Sequence, residues 1–382
     1  MTEIFLTIFF ISVLLFFLGS GIWVALSMIG VSAIGMMLFT SRPVGDAMAT
    51  TIWGTSSSWT LTALPLFVWM GEILFRTKLS ENLFKGLSPW MQKLPGGLIH
   101  VNVVGCALFA AISGSSAATV ATVGKMSIPE LRKRKYPEKI LLGSLAGSGT
   151  LGLLTPPSII LIIYGVAVQE SIAKLFIAGI IPGIMIALIF MSYVIVWSLI
   201  NKKDMPKILD EYSFIEKIKR SKQLLPVILL ISAVIGSIYT GIATATEAAS
   251  LGVLGALILS YFQKSLTLET FKSSLLGATK TSCMIAFILA GSTFLSLAMG
   301  FTGLPRNLAT WIQNMDLSPY VLIFVLMIFY IILGMFLDGI SAVVLTMAII
   351  EPMIREAGFD MIWFGIFLVI VVEMAQITPP VG

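Results

Sequence analysis

Two stretches of the sequence combine small hydroxylated residues with two consecutive prolines, and these residues are the first candidates for chemistry. The first set consists of Ser113, Gly114, Ser115, Ser116 and Thr119 with Thr155, Pro156, Pro157 and Ser158. Each proline lacks a backbone N–H, so carbonyl groups of the preceding turn lose their helical donors. Freed carbonyls and hydroxyls are oxygen ligands suited to Na⁺. The alternative is that Ser and Gly only allow two helices to pack closely.

The second set adds a carboxylate to the same pattern. It consists of Asp338, Gly339, Ser341 and Thr346 with Gln376, Thr378, Pro379 and Pro380. Asp338 lies within an apolar stretch, where an ionisable group is costly and indicates a function. Asp338 could complete a cation site or take part in the coupling of transport. Alternatively, it could be an Asp at the end of a hairpin that reaches water.

Two further acidic residues lie in apolar segments. Glu247 is in a Gly/Ala-rich segment, where a hydrogen bond to a neighbouring helix and a role in coupling are both open. Glu373 precedes the second proline pair by one to two helical turns, and the same two roles are open for it.

The composition shows what kind of protein holds these residues. The chain of 382 residues is 57% hydrophobic and 11% charged, with a mean hydropathy of +1.00, whereas soluble domains have roughly 25% charged residues. The sequence therefore predicts a multi-pass protein of a lipid bilayer. Motifs of zinc proteases, serine hydrolases and P-loop ATPases are absent, so we expect neither an enzyme nor an ATP-driven pump. No resident cofactor is expected.

The apolar segments suit membrane helices of about 20 residues, with two exceptions. They cover residues 4–18, 22–40, 57–75, 97–123, 138–165, 171–200, 223–240, 242–262, 281–300, 319–350 and 361–382. The segments 97–123 and 319–350 are long and polar at their centres. Both are predicted to be re-entrant hairpins, whose non-helical tips are tolerated only inside protein or beside water.

The distribution of basic residues favours this topology. With the N-terminus outside, the cytoplasmic segments are 76–98, 125–139, 202–222 and 264–280, and they contain all but four of the 24 lysines and arginines. Two full crossings in place of the hairpins would divide the basic loops between the two faces, against the positive-inside rule. The pI of about 9.1 thus indicates basic cytoplasmic loops, which anchor to anionic lipid, and no nucleic-acid partner is expected.

The second half of the chain repeats motifs of the first half. Pro129 and Thr155 have the same separation as Pro352 and Thr378, and each threonine precedes a proline pair. We predict a first repeat at 1–200, with its broken helix at 138–165, a cytoplasmic linker at 201–222 and a second repeat at 223–382, with its broken helix at 361–382. The hairpins open to opposite sides, so the repeats are inverted, as in secondary transporters. The second repeat ends shortly after its break, and we expect the natural gene product to continue.

Four ordered motifs give the chain a resemblance to a known family. They are "ISGSSAATVATVG" (112–124), "GTLGLLTPPSIILIIYG" (149–165), "TATEAASLG" (244–252) and "FLDGISAVVLT" (336–346) followed by "EMAQITPPVG" (373–382). The chain resembles, over nearly its full length, the large DctM-type membrane subunit of tripartite ATP-independent periplasmic (TRAP) transporters. The resemblance implies an all-α polytopic membrane protein with an elevator-type mechanism in the bacterial inner membrane.

The resemblance also implies a set of sites and partners. Ser113, Gly114, Ser115 and Ser116 with the break at Thr155, Pro156 and Pro157 would form one Na⁺ site. Asp338, Gly339 and Ser341 with Thr378, Pro379 and Pro380 would form another. An organic-anion substrate would lie between the tips, with Ser115, Ser116, Ser158 and Ser341 as candidate contacts. Implied partners are a small four-helix membrane subunit and a periplasmic substrate-binding protein that delivers an organic acid, such as a C4-dicarboxylate or sialic acid. A stand-alone Na⁺/dicarboxylate symporter is the alternative, with a purely structural membrane subunit and a membrane enzyme after it.

Overall fold

A computed structural model describes residues 2–76, 79–206, 212–222, 224–303, 318–335 and 337–378. Within these ranges the chain is helical and contains no strand. The prediction of an all-α protein is therefore confirmed.

The described ranges contain α-helices of very different lengths. In chain order they are α1 (Thr2–Gly19), α2 (Val24–Phe39), α3 (Val44–Ser56), α4 (Ala63–Phe75), α5 (Leu79–Met91), α6 (Ile99–Ser113), α7 (Ser116–Lys133), α8 (Glu138–Gly149), α9 (Leu151–Leu154), α10 (Ile159–Ala167), α11 (Ile172–Ile200), α12 (Phe214–Ser221), α13 (Leu225–Tyr239), α14 (Ala245–Phe262), α15 (Leu268–Thr302), α16 (Pro319–Gly334), α17 (Gly339–Glu356) and α18 (Met361–Gln376). Short 3-10 helices cover Trp59–Thr62 and Lys202–Asp204.

Several helices meet the length and composition expected of a membrane span. Four long apolar segments qualify among the described residues: Glu138–Ala167, Ile172–Ile200, Ala245–Phe262 and Leu268–Thr302. The number rises to six if each of two bent helix pairs, Val44–Ser56 with Trp59–Phe75 and Phe214–Ser221 with Leu225–Tyr239, is one span. Shorter apolar helices, such as α16 and α18, add to these. The apolar helices fit the predicted multi-pass membrane protein.

Several segments outside the predicted spans are also helical, among them α5 and α12. Residues 44–56, between the predicted spans 22–40 and 57–75, form α3, and α15 begins at Leu268, well before the predicted span at 281. The extra turns of α15 carry charged side chains, which hydropathy excludes from a span but which a helix tolerates.

The chain divides into two compact units, each drawn from both predicted repeats. Unit 1 comprises Met1–Thr62, Ile162–Ser171 and Thr281–Gly382, and unit 2 comprises Ala63–Leu161 and Ile172–Lys280. In unit 2, α6 packs against α4, α5, α7, α8, α9 and α11 and is the central helix. Its residues Val101, Cys106 and Phe109 are almost inaccessible to solvent. In unit 1, α16, α17 and α18 pack against one another, and Tyr330 and Phe364 are fully buried.

Both predicted hairpins consist of two packed helices joined by a short non-helical tip. The first is α6 and α7, and the second is α16 and α17. The outgoing helices α7 and α17 each have 18 residues and contain the internal prolines Pro129 and Pro352 at the same helix position. The following helices, α8 and α18, begin at the same distance along the chain from these prolines. The helix bounds thus follow the same offset as the sequence motifs.

Candidate functional site

The first hairpin tip is closed by its own hydrogen bonds. Gly114 ends α6 in the left-handed conformation, with φ of 58°, which glycine adopts at little cost. Ser115 is extended and caps α7. The Ser113 and Thr119 hydroxyls are 2.8 Å apart, and the Thr119 hydroxyl donates to the Ser115 carbonyl at 2.8 Å. Ser113 and Thr119 therefore hold the shape of the tip, and their hydroxyls are already engaged.

This tip lies directly against the first broken helix. The Ile159 N–H donates to the Gly114 carbonyl at 3.4 Å. A Cβ atom on Gly152 would lie 2.8 Å from the Ser115 carbonyl carbon and 2.9 Å from its oxygen. A Cβ on Gly114 would lie 3.0 Å from the Pro157 carbonyl oxygen. The structure thus brings the predicted tip residues and the predicted break together, through two glycines that allow the backbones to touch.

The break leaves two backbone carbonyls without their helical N–H donors, and a side-chain hydroxyl donates to one of them. Helix α9 ends at Leu154 and α10 begins at Ile159. Pro156 and Pro157 cannot donate to the carbonyls of Gly152 and Leu153. The Ser158 hydroxyl donates to the Leu153 carbonyl and accepts the Leu161 N–H at 3.4 Å. Ser158 is fully buried, so the structure gives this predicted substrate contact a helix-capping role.

The oxygens around Gly152 are what a cation would meet at this site. The Gly152 carbonyl lacks its helical donor, and half-buried Thr155, Ser115 and Ser116 lie on the segments that meet there. No group of three or more His, Cys, Asp or Glu side chains that could hold a metal occurs in the described part of the chain. A cation held here would therefore be bound by carbonyl and hydroxyl oxygens, the ligand type found for Na⁺ at unwound helices.

The second tip begins with a carboxylate cap. The Asp338 carboxylate accepts the Ser341 N–H at 3.1 Å and is exposed, whereas Gly339 and Ser341 are buried. Asp338 and Ser115 each stand directly before the outgoing helix, so the two caps occupy the same position in their hairpins. The exposure of Asp338 agrees with the alternative that this side chain reaches water. Only one of its two carboxylate oxygens accepts the Ser341 N–H.

Thr346 holds the two helices of the second hairpin together. Its hydroxyl lies 2.5 Å from the buried Tyr330 hydroxyl of α16 and 2.8 Å from the Ala342 carbonyl, to which it donates. Thr378, at the start of the second break, donates its hydroxyl back to the Met374 carbonyl at 2.8 Å. The second break extends to Pro379 and Pro380, which lie outside the described residues. Gln376 ends α18.

The two remaining acidic candidates differ in their surroundings. Glu247 is exposed and forms a capping box at the start of α14. Its carboxylate accepts both the Thr244 N–H and the Thr244 hydroxyl at 2.8 Å. Of the two roles left open for Glu247, the structure shows a structural one of another kind, because these partners belong to the start of its own helix. Glu373 is 3% exposed and faces the interior of unit 1.

Sequence reasoning missed Gly152 and Tyr330, which do much to position the two tips. The signal for Gly152 was present, since it stands four residues before the first proline of the break and its carbonyl is one of the two that lose a donor. For Tyr330 no signal existed, because an aromatic residue in an apolar helix is ordinary. Its contact with Thr346 depends on how α16 packs on α17.

Comparison with known proteins identifies the family. Residues 9–382 match the model of the tripartite ATP-independent periplasmic transporter, DctM component. The chain is 33% identical to the C4-dicarboxylate TRAP transporter large permease protein DctM of Pseudomonas aeruginosa, over 92% of this chain and 81% of that protein. It is 31% identical to the sialic acid TRAP transporter large permease protein SiaM of Vibrio cholerae, over 95% of this chain and 84% of that protein.

A third relative has the combined name DctMQ. The isethionate TRAP transporter permease protein DctMQ of Oleidesulfovibrio alaskensis is 29% identical over 96% of this chain, which spans 57% of that protein. The match to the family model covers nearly all of the sequence, including both tips and both breaks. This chain therefore belongs to the DctM family, the large permease component of tripartite ATP-independent periplasmic transporters.

Proposed function

We propose that this chain, as the large permease subunit, imports an organic acid through the bacterial inner membrane in symport with Na⁺. The observation that carries the proposal is the packing of the first tip on its broken helix. It brings the backbone of Ser115 and Ser116 against Gly152, whose carbonyl lacks its helical donor, and Thr155 stands three residues further along the same break. Such oxygens at an unwound helix are suited to Na⁺, and the N-terminal ends of nearby half-helices favour an anion.

The second tip contributes a second Na⁺ site in this proposal. Asp338 brings a negative charge, and Gly339 and Ser341 belong to the first turn of α17. Thr378, with Pro379 and Pro380 that follow it in the sequence, supplies the remaining proposed ligands. Glu373 is a candidate for coupling because it is a buried carboxylate in α18, and such groups are costly unless they serve a function. Glu247 keeps a structural role as a helix cap.

The proposed mechanism is elevator-type, with two inverted repeats. Helix α8 begins as far after Pro129 of α7 as α18 begins after Pro352 of α17, which supports two repeats of one ancestral unit. A small membrane subunit and a periplasmic substrate-binding protein complete the system, and the fused name DctMQ of one relative agrees with a second membrane component. The relatives named for C4-dicarboxylate, sialic acid and isethionate support an organic acid as substrate.

The experiment is Na⁺-driven uptake in vesicles that contain the complete system. We expect uptake of the anion only when the binding protein and an inward Na⁺ gradient are both present. Asp338→Asn keeps a helix cap, because Asn and Asp cap equally well, but removes the charge. We expect it to raise the Na⁺ concentration for half-maximal uptake about tenfold.

Asp360→Asn is the matched control for this measurement. Asp360 also caps a helix in unit 1, accepting the Trp363 N–H at 2.8 Å, and it belongs to neither tip. Its replacement should leave the Na⁺ dependence unchanged. If Asp338→Asn behaves like Asp360→Asn, the second Na⁺ site is wrong. Uptake by the chain without any binding protein would instead support a stand-alone symporter.

A further inference from the structure

Unit 2 contains a cavity of about 940 Å³ whose lining is dominated by positive charge. Its charged lining residues are Arg76, Lys85, Lys125, Arg134 and Arg220, with Glu130 as the one carboxylate among the described lining residues. The volume lies in the range of small-molecule sites, roughly 300–1,000 Å³. None of the residues of the first tip or the first break, which belong to the same unit, lines this cavity.

One face of α7 forms a wall of the cavity. Thr122, Lys125, Met126 and Glu130 of α7 and its C-cap residue Arg134 line it, and their spacing of three, one, four and four residues keeps them on one side of a helix. At 1.5 Å per residue this wall is about 18 Å long. The lining is thus an organised helix face rather than a chance group of surface lysines.

The other charges come from separate parts of the chain. Arg76 directly follows α4, Lys85 is on α5 and Arg220 is on α12. All four segments predicted to be cytoplasmic contribute lining residues, since Ser265 represents the fourth. Their meeting at one cavity of unit 2 agrees with the hairpin topology, which places all four segments on the cytoplasmic side, so we expect the cavity to open to the cytoplasm.

Two of the lining arginines pair with carboxylates of described residues. Glu130 accepts from Arg134 at 2.9 Å, and Glu72 pairs with Arg76 at 2.8 Å. The Arg220 guanidinium carbon lies 4.2 Å from the centre of the Tyr212 ring. A guanidinium stacked on a ring keeps its N–H donors at the edge, where they can bind a carboxylate or phosphate.

A buried hydroxyl gives an independent sign of a ligand. Thr122 is 4% exposed and lines the cavity, and its hydroxyl oxygen has no hydrogen-bond partner in the part of the chain that the structure describes. A buried polar group without a partner is costly, and native proteins rarely leave one. A rotation of the Thr122 side chain about χ1 would turn this hydroxyl toward the cavity, where a ligand oxygen would accept its hydrogen and remove that cost.

We propose that this cavity binds a polyvalent oxyanion, a small di- or tricarboxylate or a phosphate group, at a site separate from the helix tips. Lys125 and Arg220 supply charge-assisted hydrogen bonds, and Thr122 supplies a neutral donor at the buried end. The ligand comes from a free anion or from the headgroup of an anionic phospholipid, which present the same chemistry. The site goes beyond the transport function and does not depend on it.

The test is direct binding to the purified chain in phosphatidylcholine nanodiscs, with citrate and inorganic pyrophosphate as probes, measured by calorimetric titration. Lys125→Gln should weaken binding about tenfold, as expected for loss of a hydrogen bond from a charged group. Thr122→Val should weaken it about fivefold. Lys272→Gln is the matched control, because Lys272 is exposed, lies in a predicted cytoplasmic segment and is not a lining residue. It should change affinity less than twofold.

Nanodiscs with phosphatidylglycerol distinguish the two sources. If the headgroup occupies the cavity, phosphatidylglycerol raises the melting temperature and weakens citrate binding, and Lys125→Gln abolishes both effects. If the ligand is a free anion, citrate binds equally in both lipids. Arg220→Gln, on another helix, replaces Lys125→Gln if that variant does not fold. The proposal is overturned if neither probe nor lipid binds, or if Lys272→Gln weakens binding as much as the lining variants.

Discussion

At the scale of single residues, Gly152 controls how closely the first tip approaches the broken helix. A Cβ atom there would stand 2.8 to 2.9 Å from backbone atoms of Ser115 and Ser116, and backbone cannot yield as a flexible side chain can. We expect Gly152→Ala to cost about 1–3 kcal/mol of stability, typical of overpacking, and to abolish most Na⁺-driven uptake. Thermal unfolding and vesicle uptake measure the two effects.

Gly143→Ala provides the comparison for this substitution. Gly143 is in α8, in the same part of the chain, and a Cβ there meets nothing within 4 Å. Alanine should stabilise that helix by about 0.5–1 kcal/mol relative to glycine and leave uptake intact. Equal stability of the two variants would contradict the close approach at Gly152.

A substitution of Thr346, again at the scale of single residues, tests whether its hydroxyl serves packing or ion binding. Its hydroxyl is engaged by Tyr330 and Ala342, so Thr346→Val should leave the Tyr330 hydroxyl without its partner and cost about 1–3 kcal/mol. The Na⁺ concentration for half-maximal uptake should not change in protein that folds. Thr279→Val, at an exposed site bonded to the Leu275 carbonyl, should do neither. A shift in Na⁺ dependence for Thr346→Val would place Thr346 among the ion ligands.

At the scale of elements, Ser158 joins the two halves of the broken helix. Its hydroxyl supplies the donor that Pro157 cannot give to the Leu153 carbonyl. Ser158→Ala should therefore loosen the break by about 1–2 kcal/mol, seen as faster amide hydrogen exchange in residues 151–162. Ser148→Ala is the control, because Ser148 is equally buried but donates to a carbonyl inside a regular helix. Equal exchange in both variants would contradict the role of Ser158.

Most helices, hairpins and breaks could be predicted, because they depend on residues that are close together in the sequence. Consecutive prolines must break a helix, and a polar tip between two apolar stretches must be non-helical or buried, so both hairpins and the first break could be located. The roles of hydroxyls could not be predicted in the same way. Ser113, Thr119, Ser158 and Thr346 resemble ligands in sequence, but each bonds to protein groups. Most of these partners are a few residues away in the chain, and the Tyr330 partner of Thr346 comes within reach only through the packing of two helices.

At the scale of the whole molecule, the basic cavity of unit 2 extends what the sequence indicated. The positive-inside rule placed four basic segments on one face, and the structure brings lining residues from all four to one cavity. The rule gives no distances, so it could not distinguish scattered lipid anchors from a single site. The face of α7 that begins with Thr122 and ends with Arg134 is visible in the sequence only after its helix bounds are known.

The membrane topology itself can be tested by labelling single cysteines. Cys106 and Cys283 are first replaced by Ser, and then Lys93→Cys, Lys133→Cys and Lys174→Cys are made singly at exposed positions. An impermeant maleimide added to intact cells should label Lys174→Cys alone. Lys93→Cys and Lys133→Cys should react only after permeabilisation, because a re-entrant hairpin returns the chain to the side from which it entered. If residues 97–123 cross the membrane completely, Lys93→Cys and Lys133→Cys will label from opposite sides.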